Sequence, residues 1–189
     1  MLKRTHLCGQ LRETDAGTTA TLCGWVNTYR DQGKGLVFID LRDRTGLTQI
    51  VFDQEDVPDD VMELSRGLRR EDVIAVSGTI RVRDGGPNPK LDTGAIELVG
   101  SVLEVLNSTE NPPILPDDHE ADKIDEEIRL RHRYIDLRRP RMQSILGLRS
   151  EVARHTRNFF AEHGFLEVET PLLIRSTPEG ARDFIVPSR

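Results

Sequence analysis

Apolar and polar positions alternate along the first hundred residues, and the period of that alternation predicts the elements. Residues 21–30 (TLCGWVNTYR) place Leu22, Gly24 and Val26 on one face and Cys23 and Trp25 on the other, the two-residue period of a strand. Residues 36–43 (LVFIDLRD) and 47–53 (LTQIVFD) are rich in β-branched and aromatic side chains, with Arg44-Thr45-Gly46 between them as a hairpin turn. The period then changes. Between residues 58 and 70, Val61, Leu64 and Leu68 recur at helical spacing behind Pro58 and two aspartates suited to a helix start. Strand character returns over residues 72–83 (DVIAVSGTIRVR) and 95–106 (AIELVGSVLEVL), joined by a loop rich in Gly, Pro and Asn.

The predicted order is β-β-β-α-β-β, with glycines inside several strands. Interior glycines favour bends and close backbone approach over an open sheet. The pattern fits a mostly β N-terminal OB-fold, a five-stranded Greek-key barrel with one helix between strands 3 and 4. The face of strands 2 and 3 in such barrels commonly meets oligonucleotides, although the same fold also binds saccharides and proteins. Residues 107–118 (NSTENPPILPDD) carry three prolines without periodicity and read as a linker. Helical spacing follows over residues 121–131, then RYIDLRRP at residues 133–140. A longer helix is predicted over residues 142–163, with Ile145, Leu148, Val152, Phe159 and Phe160 on one stripe and Gly164 as the stop. Residues 165–173 (FLEVETPLL) read as a strand interrupted at Pro171. The expected division is 1–106 for the barrel, 107–141 for a helical hinge, and 142–189 for the incomplete start of an α+β domain. One helix and one strand cannot bury both of their apolar faces, so the expectation is a second domain that is cut short or completed by another chain.

With 189 residues the chain is long enough for a small domain and part of another. No apolar run approaches the roughly 20 residues needed to cross a bilayer, and the N-terminal MLKRTHLCGQ lacks the apolar stretch of a signal peptide. Two cysteines, Cys8 and Cys23, form neither a disulfide framework nor a zinc pair, so the expectation is a reducing cytoplasm and no metal site. The net charge of −6 hides uneven placement. Residues 53–72 hold eight acids and three arginines, whereas residues 129–157 hold nine arginines and two acids. Such an Arg-rich stretch suits phosphates through its planar donor forks, although charge alone favours a solvated helix face.

Three blocks then name a family. GWVNTYRDQGKGLVFIDLRDRTGLTQIVF (residues 24–52), RYIDLRRP (133–140) and HGFLEVETPLLIRSTPEGARDFIVPSR (163–189) resemble bacterial-type aspartyl-tRNA synthetase, a class II enzyme, and the resemblance covers nearly the whole chain. The long helix, the strand and Pro171 resemble class II motif 1. TPEGARDF at residues 177–184 is similar to the loop that closes over the amino-acid pocket in aspartate enzymes. Motifs 2 and 3, which carry the adenylation and transfer chemistry, are not in this sequence, so no catalytic residue is expected here.

The resemblance implies roles for particular residues. Phe38 shares a strand face with Asp40 and Arg42 and matches the Phe that stacks on the middle anticodon base; alternation alone would make it a core side chain. Gln49 matches the Gln that reads the middle U, and Glu97 the Glu that reads the first base, each otherwise an ordinary strand residue. Arg30, Arg83 and Asn88 fall where the family places further anticodon-loop contacts. Arg138 and Arg139 are expected to meet tRNA backbone at the hinge. Val152, Phe159 and Pro171 are expected at a homodimer interface, or buried within their own domain. Glu179 would accept the α-ammonium of aspartate. The implied partner is tRNA for aspartate, extending to asparagine tRNA if the third base is read loosely, with neither DNA nor membrane. ATP and Mg²⁺ belong to the full-length enzyme, in which aspartyl-adenylate forms before transfer to the tRNA 3′ end, and neither is expected to bind this segment tightly. Two rival expectations stand beside this one: a stand-alone OB-fold module for RNA or protein without ligase activity, and a generic single-strand binder indifferent to loop sequence.

Overall fold

A computed structural model describes residues 1–110, 112–173 and Pro187. The chain divides into two units, Met1–Pro112 and Pro113–Arg189.

In the first unit five strands close into a barrel. They are β1 (Thr19–Asp31), β2 (Leu36–Asp43), β3 (Gly46–Asp53), β4 (Val73–Val82) and β5 (Ile96–Asn107), with helix α1 (Asp59–Arg66) between β3 and β4. Around the barrel the order is β1-β2-β3-β5-β4, closed by β4 against β1. Neighbours are antiparallel except β3 and β5, which run parallel. The predicted alternation is realised on β2, where Val37, Ile39 and Leu41 are fully buried while Phe38, Asp40 and Arg42 face outward. Leu22 and Val26 of β1, Ile50 and Phe52 of β3, Ile74, Val76 and Ile80 of β4, and Ile96 and Leu98 of β5 complete the core. Each such side chain contributes roughly 1.5–3 kcal/mol by leaving water.

Opposite Ser77/Gly78, β5 carries one extra residue, Ser101, a bulge that lets the β4–β5 pair bend around this core. Gly78 is required there, because a Cβ would lie 1.9 Å from the carbonyl oxygen of Val99 on β5. The N-terminal residues cover one side of the barrel through Cys8 and Leu11, both in the core cluster. Cys8 N–H donates to Asp43 Oδ2 at 2.8 Å, and the amide and hydroxyl of Thr45 donate to Oδ1 at 2.7 Å each. Burial pushes the Asp43 carboxyl up, but those hydrogen bonds and the Arg4 charge outweigh it and hold it below the usual carboxylate range. Burial also raises the Cys8 thiol, reinforced by the Asp43 charge, so it packs as a neutral apolar group. Helix α1 ends at Arg66, short of the predicted Arg70. A turn replaces its last residues, with Asp72 accepting from the amides of Arg69 (2.8 Å) and Thr109 (2.7 Å).

The second unit holds α2 (Asp118–Ala121), α3 (Glu126–Arg131), α4 (Arg133–Asp136) and α5 (Pro140–Glu162). The single helix predicted over residues 121–131 is therefore two. Asp117 caps α2 by accepting from the Glu120 amide at 3.0 Å, and α3 starts afresh at Glu126 behind Asp125. Pro140 opens α5, where its fixed φ suits a first turn, and Gly164 with φ of 81° ends it. The strand predicted over residues 165–173 is absent. A strand needs a ladder partner, and no described segment pairs with it, so Pro171 lies in exposed irregular chain.

Candidate nucleic-acid interface

The outward faces of five strands carry one hydrogen-bonded row of polar side chains. Gln49 on β3 lies directly opposite Asp40 on β2, and the parallel register of β3 with β5 sets Ile50 beside Leu98, which brings Gln49 next to Glu97. Gln49 Nε2 donates to Glu97 Oε2 at 2.8 Å. Arg30 Nη2 on β1 donates to Gln49 Oε1 at 3.4 Å and pairs with Asp40 at 3.2 Å, while Asp40 also accepts from the Thr28 hydroxyl. At the other end Arg81 Nε on β4 donates to Glu97 Oε1 at 2.9 Å.

Gln49 and Glu97 are only 3% and 5% exposed although neither points into the apolar core. Polar groups so removed from water are tolerated when their hydrogen bonds are made, and the row makes them. Phe38 stands across from Arg30 in the β1–β2 ladder and beside Val51 of β3. It is half-buried, on the opposite face of β2 from the core residues. The core placement is thus overturned: Phe38 alternates with the buried Val37 and Ile39 and shares the outward face of Asp40, with Arg30 opposite it on β1. An aromatic face beside charged and amide groups is the layout on which unstacked bases lie and have their edges read.

Arg81 is the residue that sequence reasoning missed. It stands opposite Glu97 in register, but two arginines with the same spacing parity, Arg81 and Arg83, occur near the end of β4. Only the register downstream of the Ser77/Gly78 bulge decides between them. Burial tends to lower the Arg81 guanidinium, and the hydrogen bond and charge of Glu97 outweigh it, raising it above its ordinary value. Arg83 and Asn88 lie beyond β4 in the connection to β5, outside the hydrogen-bonded row. The Arg83 amide donates to Ala95 at 3.0 Å and its Nη1 is buried without an acceptor among the described residues. Asn88 organises the loop itself: its amide donates to Gly94 at 2.8 Å and its Oδ1 accepts from Lys90 at 3.1 Å.

The two hinge arginines part company. Arg138 is exposed. Arg139 is 2% exposed, with Nη1 3.3 Å from both Asp118 and Asp122 and Nε 2.8 Å from Asp136, itself buried. A guanidinium enclosed by three carboxylates has no face left for a phosphate, so the expected backbone contact fails at Arg139, which staples α2 to the start of α5. On α5, Val152 and Phe159 are 58% and 55% exposed, and Pro171 is exposed too; burial within their own unit is not what they find. Glu179 lies outside the described residues. Among those described, no group of three or more His, Cys, Asp or Glu converges to hold a metal ion, and no helix is long and apolar enough to cross a membrane.

The family described as OB-fold nucleic acid binding domain matches residues 20–106, and that described as tRNA synthetases class II (D, K and N) matches residues 125–189. An aspartate–tRNA(Asp/Asn) ligase from Salinibacter ruber is 53% identical over 98% of this chain and 30% of its own length. The ligase of the same name from Bacillus subtilis is 47% identical over 100% of this chain and 32% of its own. Among solved structures, asparaginyl-tRNA synthetase from Pyrococcus horikoshii complexed with asparaginyl-adenylate superposes with a TM-score of 0.79 at 25% identity, covering 92% of this chain and 38% of that one. The chain thus spans about 30% of the length of the curated relatives it matches.

Proposed function

The chain belongs to the class II aspartyl-tRNA synthetase family, and we propose that its barrel reads a tRNA anticodon while the second unit carries the opening of the ligase domain. The observation that supports this most is the row from Arg30 through Gln49 and Glu97 to Arg81 with Phe38 beside it. In this reading Phe38 stacks on the middle base, Gln49 meets that base's Watson–Crick edge, and Glu97 accepts from the first base. Arg83 and Asn88 hold the loop from the β4–β5 side. Arg138 serves the tRNA backbone near the hinge. The tRNA partners are those for aspartate and asparagine, which the relatives' names pair.

The exposed stripe with Val152 and Phe159, and Pro171 after it, forms the homodimer contact. Contiguous apolar surface of this kind is characteristic of an interaction site. Glu179 accepts the α-ammonium of aspartate. In the whole enzyme, ATP with Mg²⁺ activates aspartate to aspartyl-adenylate, and the aminoacyl group then passes to the tRNA 3′ end, in the cytoplasm. This chain is assigned anticodon recognition, and the ATP chemistry is assigned to the full-length enzyme. Nuclease footprinting on the aspartate tRNA tests the reading. Protection centred on the anticodon loop is expected, and uniform protection or none would overturn it.

A further inference from the structure

The Gln49 carboxamide sits between groups of opposite demand. Its Nε2 faces a carboxylate oxygen of Glu97 at 2.8 Å, and its Oε1 faces the Arg30 guanidinium at 3.4 Å. Turned end for end, the amide would set acceptor against acceptor at Glu97 and donor against donor at Arg30. Glu97 is itself held from the other side, since Arg81 Nε donates to its second oxygen at 2.9 Å. The row therefore has a direction: guanidinium, carboxylate, amide, guanidinium. One Nε2–H and one Oε1 lone pair of Gln49 remain for a ligand, in a fixed order across the sheet.

Uracil and cytosine differ by that order. Uracil presents an O4 acceptor next to an N3–H donor, whereas cytosine presents an N4 amino donor next to an N3 acceptor. An amide free to turn over satisfies both, and one locked in place satisfies a single pattern. We infer that the Arg81–Glu97 ion pair locks the Gln49 carboxamide and so makes this subsite take uracil and refuse cytosine. The inference rests on the anticodon reading, which supplies uracil as the base. Arg81 acts through Glu97 and is a positioning residue. Its effect belongs to the choice of base rather than to the strength of binding RNA in general.

The test titrates the 189-residue chain with anticodon stem-loops carrying GUC or GCC at one salt concentration, after thermal unfolding shows each variant folded. The wild type is expected to favour GUC by about tenfold or more, the scale of one good two-bond contact. Glu97→Gln, whose own amide tolerates either orientation of its neighbour, should bring the ratio to within about twofold of unity. Arg81→Gln should lower the ratio several-fold, and Arg81→Lys, which keeps a cation, should retain most of it. An unchanged ratio in Glu97→Gln and Arg81→Gln, with the wild type discriminating, overturns the lock and leaves the anticodon reading standing. Equal weakening for both loops with a shallower salt dependence makes Arg81 a phosphate contact and also overturns it. A wild type indifferent to loop sequence overturns the underlying reading instead. The lock has a separate readout without RNA: the Gln49 side-chain amide protons should exchange slowly with solvent in the wild type and faster in Arg81→Gln and Glu97→Gln. Equal exchange in all three would contradict it.

Discussion

The two units differ in how much apolar surface they enclose. In the barrel, Leu22, Ile39, Leu41, Ile50 and Phe52 are completely enclosed, and every strand gives one face to the same apolar cluster. In the second unit, α5 runs for 23 residues without burying one of them, and its Leu148 is 67% exposed. Besides Ile114, Pro116 and Ala121, what that unit encloses is charged: Arg139 with Asp136, and Asp118 and Asp122 at the rim. The contrast teaches that the barrel encloses a large apolar cluster and carries a polar row on its outer face, whereas the second unit fixes its helix starts by ion pairs and leaves an apolar stripe exposed. Apolar burial is non-directional and adds with area. A buried ion pair orders geometry, adds little net stability, and fails badly when one member is removed.

The contrast is broken most sharply at Arg139. Arg139→Ala leaves the buried Asp136 carboxylate with only the longer 3.8 Å contact to Arg133, and removing one partner of a buried pair costs about 3–5 kcal/mol. Helicity from the second unit should melt at lower temperature while the near-ultraviolet signal of Trp25 in the barrel stays unchanged. Simultaneous loss of both signals would show that the units do not differ as described. The same variant should leave the salt dependence of tRNA binding as it was, whereas Arg138→Ala should reduce the slope of log affinity against log salt by about one. Equal slopes for Arg138→Ala and wild type would remove Arg138 from the backbone contact.

Paired truncations come next. Leu22→Ala in the barrel should cost about 2–5 kcal/mol, because a closed core cannot collapse onto the missing atoms. Leu148→Ala on α5 should fall within about 0.5 kcal/mol, as at an open surface. Chemical denaturation of each variant checks this, and comparable losses would mean that α5 is covered in the free chain.

The smallest effect is the acid limb of barrel stability. Asp43 is held below its unfolded value, so its contribution is present above about pH 4 and is lost as pH falls through its folded value. Asp43→Asn should flatten the decline of barrel stability below about pH 4. An unaltered decline would assign it to other carboxylates.

Much of this arrangement was legible in the sequence where a local period decides it. The alternation of residues 36–43 gives β2 its bounds and its two faces, and Gly164 stops α5 as predicted, while the helix begins at Pro140, two residues before the predicted 142. What was hidden depends on register and on partners. Arg81 rather than Arg83 meets Glu97 because irregularities at Val73/Ile74 and Ser77/Gly78 each shift the β4–β5 ladder by one residue, and no spacing rule counts across them. Arg138 and Arg139 are adjacent and chemically alike; only the helical fold of residues 118–136 turns one toward three carboxylates. Residues 165–173 have strand composition, but strand pairing is a property of two segments, and composition describes one.

The central claim is that the barrel's outer polar face reads an anticodon, and binding of stem-loops carrying GUC, GUU or a scrambled loop at fixed moderate salt tests it most directly. The account predicts preference for GUC and GUU over the scramble, with Phe38→Ala abolishing it by removing a stacking platform worth about 1–3 kcal/mol per base. Equal affinity for all three loops, or a preference that survives Phe38→Ala, would contradict it.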